Sequence, residues 1–226
     1  MNQRFGSLDA FRGLAALSVV VFHMHLVGSV TELEFFRGSS IFVEFFFVLS
    51  GFVLAHGYGF RKDLKFIVFM KARFFRLYPL HIFMFSVFVL LEFGKLAAYK
   101  YAGFTFNNIP FTGHTAIGEI IPNLLLIQSW TPFTEHLSYN SPSWSISIEF
   151  YLYVLLFFSV VVFSKFKKYI WVFTPIIAFY LIASESDILV SPVLRGLSCF
   201  FGGALTYLVY KKVAYIQVTK LLGSVV

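Results

Sequence analysis

Six stretches of this chain, at 12–30, 40–58, 78–96, 143–164, 170–184 and 191–210, are apolar over the length that a membrane-crossing helix needs, about 20 residues or fewer where the flanks snorkel or the bilayer thins. A seventh, 117–130, is apolar but short, and reads as re-entrant, interfacial or one of an unseen pair. That pattern narrows the fold to an all-α, polytopic transmembrane helical bundle of about six long spans plus one short or re-entrant segment. Composition agrees. Only 13% of the 226 residues are charged, against about 25% in a soluble domain, and aromatic residues reach 21%, as suits lipid-facing and interfacial positions.

The net charge of +7 does not point to nucleic acid, because the basic residues fall in short clusters between apolar runs. Arg61, Lys62, Lys65, Lys71, Arg73 and Arg76 form one such cluster, and Lys165, Lys167 and Lys168 another. Cytoplasmic retention of positive charge produces this arrangement. With Arg4 and Arg12 ahead of the first span, the expectation is a multi-pass protein of the cell membrane with a cytoplasmic N-terminus. The orientation holds only if the region between Glu92 and Pro142 crosses an even number of times. Cys199 is the sole cysteine, which excludes an internal disulfide and a cysteine metal site. Asp9 and Arg12 interrupt the first apolar run, so it reads as a retained anchor and not a cleaved signal. No internal repeat or long linker breaks the chain, which reads as one membrane domain over 1–226.

Polar groups inside spans are costly and mark candidate sites. Arg12 and His23 are eleven residues apart, which on a helix leaves them about 20° from alignment and about 16 Å apart along the axis. Ala16 and Val19 fall between them, leaving a narrow strip open to a slender ligand. The structural alternative is a histidine bonded to a neighbouring helix. His25, about 200° further round, reads as interfacial. The run Ser141-Pro142-Ser143-Trp144-Ser145-Ile146-Ser147-Ile148-Glu149 opens a helix, since proline after serine is a start signal. Glu149 then lies about 10 Å inside the span, at a depth where it could pair with His23 or serve as a hydrogen-bond hub. Glu44, in the second span, is open to either reading. Ser50 and Gly51 suit close helix packing. Arg73 and Arg76, at i and i+3, share a helical face and suit phosphate oxygens, although a topology signal or contact with anionic lipid would use the same residues. Arg195 is a further charge within a span.

Four of these segments together resemble the acyltransferase 3 family of multi-spanning membrane enzymes. They are Leu8-Asp9-Ala10-Phe11-Arg12-Gly13 with His23, Phe46-Phe47-Val48-Leu49-Ser50-Gly51-Phe52, Arg73-x-x-Arg76-x-x-Pro79, and Trp144-Ser145-Ile146-Ser147-Ile148-Glu149. The family's last motif often continues with a second acidic residue and a glutamine, where this chain has Phe150 and Tyr151. Members also carry more spans than this chain has room for, so Val226 reads as a C-terminal truncation point. The resemblance implies transfer of an acyl group, commonly acetyl, from cytoplasmic acyl-CoA to a hydroxyl of a cell-surface carbohydrate. His23 and Glu149 would be catalytic, Arg12, Arg73 and Arg76 would bind the donor, and no metal is expected. Acyl-CoA, the carbohydrate acceptor and membrane lipid are the partners implied. Two other readings use the same residues: a proton-coupled carrier with His23, Glu44 and Glu149 as a relay, and a catalytically inactive membrane fragment.

Overall fold

The computed structural model describes residues 6–24 and 26–223, with the side chains of Ser7, Asp9 and 216–223 left aside. Arg4, His25 and Val226 therefore lie outside the described residues. Six helices dominate: α1 (Gly6–Phe22), α2 (Phe42–Tyr58), α3 (Phe66–Tyr101), α4 (Trp144–Val161), α5 (Lys167–Ala183) and α6 (Ser191–Gly223). Among the described residues there is no strand. The segments Ser39–Tyr58, Phe66–Tyr101, Ser141–Val161 and Ser191–Tyr215 are long and apolar enough to cross a membrane. The protein is a multi-pass helical bundle.

The helices depart from the expected spans at two places. The α3 helix has 36 residues and runs through Pro79, so at 1.5 Å per residue it extends about 54 Å, well beyond a ~30 Å hydrocarbon core. Lys71, Arg73 and Arg76 are thus on the same helix as the apolar span. A proline is tolerated there because its ring removes one helical bond while the surrounding packing holds the rest.

At the start of the chain, α1 ends at Phe22 where the apolar run predicts helix to residue 30. His23 closes the last turn: its Nδ1 bonds the Val19 carbonyl at 2.8 Å and its amide the Val20 carbonyl at 3.1 Å, after which the i→i−4 bonds stop. The apolar part, Ala10–Phe22, is only about 20 Å long. Phe11 packs edge-on against Phe42 and Phe45 at the start of α2, with ring centroids 6.4 and 5.1 Å apart. This packing puts the starts of the two helices side by side. Alternation of apolar runs says nothing about where a short first helix docks.

The 117–130 stretch is not a span. Its longest helix is the five-residue Ile120–Leu124. Four consecutive carbonyls, of residues 123 to 126, bond side chains of α3 and α4: His81, Tyr78, Tyr151 and Ser147 respectively. Irregular backbone is stable within a membrane bundle only when its polar groups are met in this way. With no long helix between Tyr101 and Ser141, the connection makes no full crossing, which satisfies the even number that the charge pattern requires.

Packing is tightest where α2 meets α6. A Cβ on Gly51 would lie 1.8 Å from the carbonyl oxygen of Phe200, and one on Gly203 would lie 1.9 Å from that of Val48. Only glycine lets the two backbones approach so closely. Phe47, Phe69, Leu152, Tyr153, Trp171 and Phe200 fill the core behind this contact.

Candidate functional site

A cavity of about 250 Å³ opens between four helices. Along α1 it is lined by Arg12, Val19 and His23, and along α2 by Val43, Phe46, Phe47 and Ser50. Both sets follow helical spacing, so one face of each helix is presented. Arg76 enters from α3, and Pro142, Trp144, Ser145 and Glu149 line it from the start of α4. The α4 group is set by the Ser141–Ser143 turn of 3-10 helix, which places Pro142 where its missing amide leaves nothing unpaired.

Glu149 is held by two hydroxyls at a single oxygen. Ser50 Oγ donates to Oε1 at 2.6 Å, and the Tyr153 hydroxyl donates to the same atom. To a carboxylate, both bonds are charge-assisted, the stronger kind. Tyr153 is fully buried, and the guanidinium of Arg73 lies 5.9 Å from its ring centroid. Arg73 also lies over Tyr58 and Phe69, at 4.9 and 5.2 Å. It does not line the cavity, and its Nε is buried with no hydrogen-bond partner.

His23 faces the cavity with a fixed tautomer. A carbonyl oxygen can only accept, so the Nδ1 that meets Val19 O must carry the hydrogen. In the neutral ring Nε2 is then the bare nitrogen, with its lone pair available.

Four of the five expected site residues, Arg12, His23, Arg76 and Glu149, thus meet at one cavity, while Arg73 packs behind it. His23 and Glu149 do not pair: the first bonds Val19, the second Ser50 and Tyr153. Ser50, expected as a packing residue, bonds Glu149, while its neighbour Gly51 makes the close approach. Two features escaped the sequence reading. Tyr153 is one helical turn beyond Glu149, a spacing that could have signalled it. The ion pair of Glu44 with Arg195 joins residues 151 positions apart, and no local pattern announces it. Among the described residues, no group of three or more His, Cys, Asp or Glu side chains gathers as a metal site would require.

Residues 5–219 match the Acyltransferase domain family, nearly the whole chain. The chain belongs to this family. Within the acyltransferase family it is similar to Acyltransferase MdmB of Streptomyces mycarofaciens, at 32% identity over 67% of this chain and 38% of MdmB. Protein 2 in the picA locus of Rhizobium radiobacter is 35% identical over 59% of this chain and 78% of its own length. YrhL of Bacillus subtilis, named as a candidate peptidoglycan O-acetyltransferase, is 31% identical over 66% of this chain and 22% of its own. The chain therefore spans well under half the length of two of these acyltransferase relatives. No solved structure matches it.

Proposed function

We propose that this protein moves an acyl group, commonly acetyl, from acyl-CoA to a hydroxyl of a cell-surface carbohydrate. The observation that carries the reading is the meeting of Arg12, Arg76, Glu149 and an Nε2-bare His23 on one cavity of a family acyltransferase domain. YrhL, the relative whose name includes peptidoglycan O-acetyltransferase, supports a carbohydrate acceptor.

The chemistry follows from the groups. Nε2 of His23 takes the proton of the acceptor hydroxyl as its oxygen attacks the thioester carbonyl. The new C–O ester bond forms, the C–S bond breaks, and the proton on the imidazolium passes to the departing thiolate. Glu149, held in place by Ser50 and Tyr153, faces the cavity in which the imidazolium forms and, as a carboxylate, offsets its charge. Arg12 and Arg76 supply positive charge for the phosphates of the donor. A cavity of 250 Å³ falls below the ~300–1,000 Å³ of sites that enclose a drug-sized ligand. It suits the acyl thioester and the one sugar ring that carries the reacting hydroxyl, with the rest of the donor outside. Apolar walls from Val19, Val43 and Phe46 limit water, and hence competing hydrolysis.

In this reading the protein lies in the cytoplasmic membrane, with the basic residues Lys71, Arg73, Arg76, Lys165, Lys167 and Lys168 on the cytoplasmic side, where acyl-CoA is found. The test is a chromosomal His23→Ala strain, scored for base-labile acyl groups on surface glycans. Loss of one such ester, with the protein present in the membrane, is expected; unchanged ester content would sink the proposal.

A further inference from the structure

The wall of the cavity is held from behind by a pair of charges to which acyl transfer assigns nothing. Glu44 lies in the first turn of α2 and Arg195 in the second turn of α6. Nε and Nη2 of Arg195 both bond Oε1 of Glu44, the former at 2.6 Å. The guanidinium carbon lies 4.8 Å from the centroid of the Trp144 ring. Trp144 lines the cavity, and Phe47 meets it edge-on at 6.0 Å. Oε2 of Glu44 is buried without a partner, so the carboxylate's hydrogen bonds all go to the guanidinium that covers the indole.

A charge pair is a costly way to fill space in a membrane bundle, where an apolar pair of similar volume packs as well. What a guanidinium offers and a leucine does not is a directional hold on an aromatic face. Arg195 covers one side of Trp144 and Phe47 blocks rotation from the edge, so the indole presents a fixed surface to the cavity it shares with His23 and Ser145. The negative face of an aromatic ring attracts C–H bonds polarised by neighbouring oxygens. A pyranose ring has such bonds in a flat row, with its hydroxyls around the rim. An acetyl group is too small to need a two-ring surface.

We propose that Trp144 is the platform for the acceptor sugar, and that Arg195 and Glu44 are positioning residues which fix its orientation. This rests on the acyl-transfer reading. The platform takes the apolar face of one pyranose ring, which sets a rim hydroxyl within reach of His23 Nε2.

The experiment uses permeabilised membranes containing the full-length protein. Labelled acetyl-CoA is the donor probe, and envelope carbohydrate from a strain lacking the gene is the acceptor. Base-labile label is measured while each substrate is varied. Trp144→Ala and Arg195→Leu are each expected to raise the half-saturating acceptor by about tenfold and to leave the half-saturating acetyl-CoA within about twofold. Because Arg195 acts through Trp144, the double variant should be no worse than Trp144→Ala alone. If Arg195→Leu does not accumulate, Arg195→Lys keeps a charge for Glu44 but loses the planar stack, and the same shift in acceptor is expected. A shift in acetyl-CoA instead, or fully additive losses in the double variant, overturns the platform while acyl transfer stands. No label with wild-type membranes removes acyl transfer and the platform with it.

Discussion

Ser50 on α2 donates a 2.6 Å hydrogen bond to Glu149 on α4, joining residues 99 positions apart at the cavity. The bond ties two of the motifs that resemble the acyltransferase family to one another. Tyr153 donates to the same carboxylate oxygen, so the carboxylate is fixed from both the neighbouring helix and its own.

Removing either donor should therefore loosen Glu149 without emptying the core. Hydrogen bonds to charged groups contribute about 1.5–3 kcal/mol, which corresponds to roughly ten- to a hundredfold in rate if Glu149 acts in the transition state. Ser50→Ala and Tyr153→Phe should each lower acyl transfer by at least about tenfold, with protein levels in the membrane little changed. The double variant should depart from the product of the single effects, because both donors act on one atom. Transfer rates of the four proteins, each normalised to membrane content, decide it.

The two arginines of the Arg73-x-x-Arg76 motif should separate in their effects. Arg76 lines the cavity, so Arg76→Leu should raise the half-saturating acetyl-CoA by about tenfold or more and leave thermal stability in detergent nearly unchanged. Arg73 stacks over three aromatic rings, and Arg73→Leu should lower stability by about 1–2 kcal/mol. Measuring acetyl-CoA dependence and thermal stability for both variants tests the separation. Equal loss of donor affinity in the two would contradict it.

Adjacent glycines of α6 should behave in opposite ways. A methyl on Gly203 would overlap the Val48 carbonyl, while one on Gly202 meets nothing within 4 Å. Gly203→Ala should cost more than the roughly 1–3 kcal/mol of ordinary overpacking, since backbone cannot rotate aside, and should cut membrane yield. Gly202→Ala should be neutral or slightly stabilising, by up to about 1 kcal/mol. Detergent melting curves of the two variants give the comparison directly.

The folded-back 117–130 segment should open in proportion to how deeply each of its anchors is buried. Ser147 bonds the Leu126 carbonyl inside the bundle, whereas the Tyr78 bond to Leu124 lies at its surface. Ser147→Ala leaves a buried acceptor unmet, at about 1–3 kcal/mol, so amide exchange in 117–130 should rise by roughly five- to 150-fold. Tyr78→Phe should change it by less than about threefold. Hydrogen exchange confined to this segment is the readout.

Much of this protein was legible from its sequence because the bilayer is an unforgiving solvent. Apolar runs of spanning length are readable one at a time, and a polar side chain within them stands out. Hence the helical class and the candidates Arg12, His23, Arg76 and Glu149 could be named without coordinates. Helical periodicity also placed Arg12 and His23 on one face, as the cavity lining bears out. Periodicity is a property of single helices, however, and it stops where partners begin. Only the tertiary structure decided that Glu149 bonds Ser50 and Tyr153 and not His23, and that Arg73 packs on aromatic rings behind the cavity. It also paired Glu44 with Arg195, folded 117–130 back against α3 and α4, and set the start of α1 beside the start of α2. Each of these depends on the rotation and docking of one helix against another. The close approach at Gly51 and Gly203 fixes that docking for α2 and α6, and no local spacing in the chain encodes it.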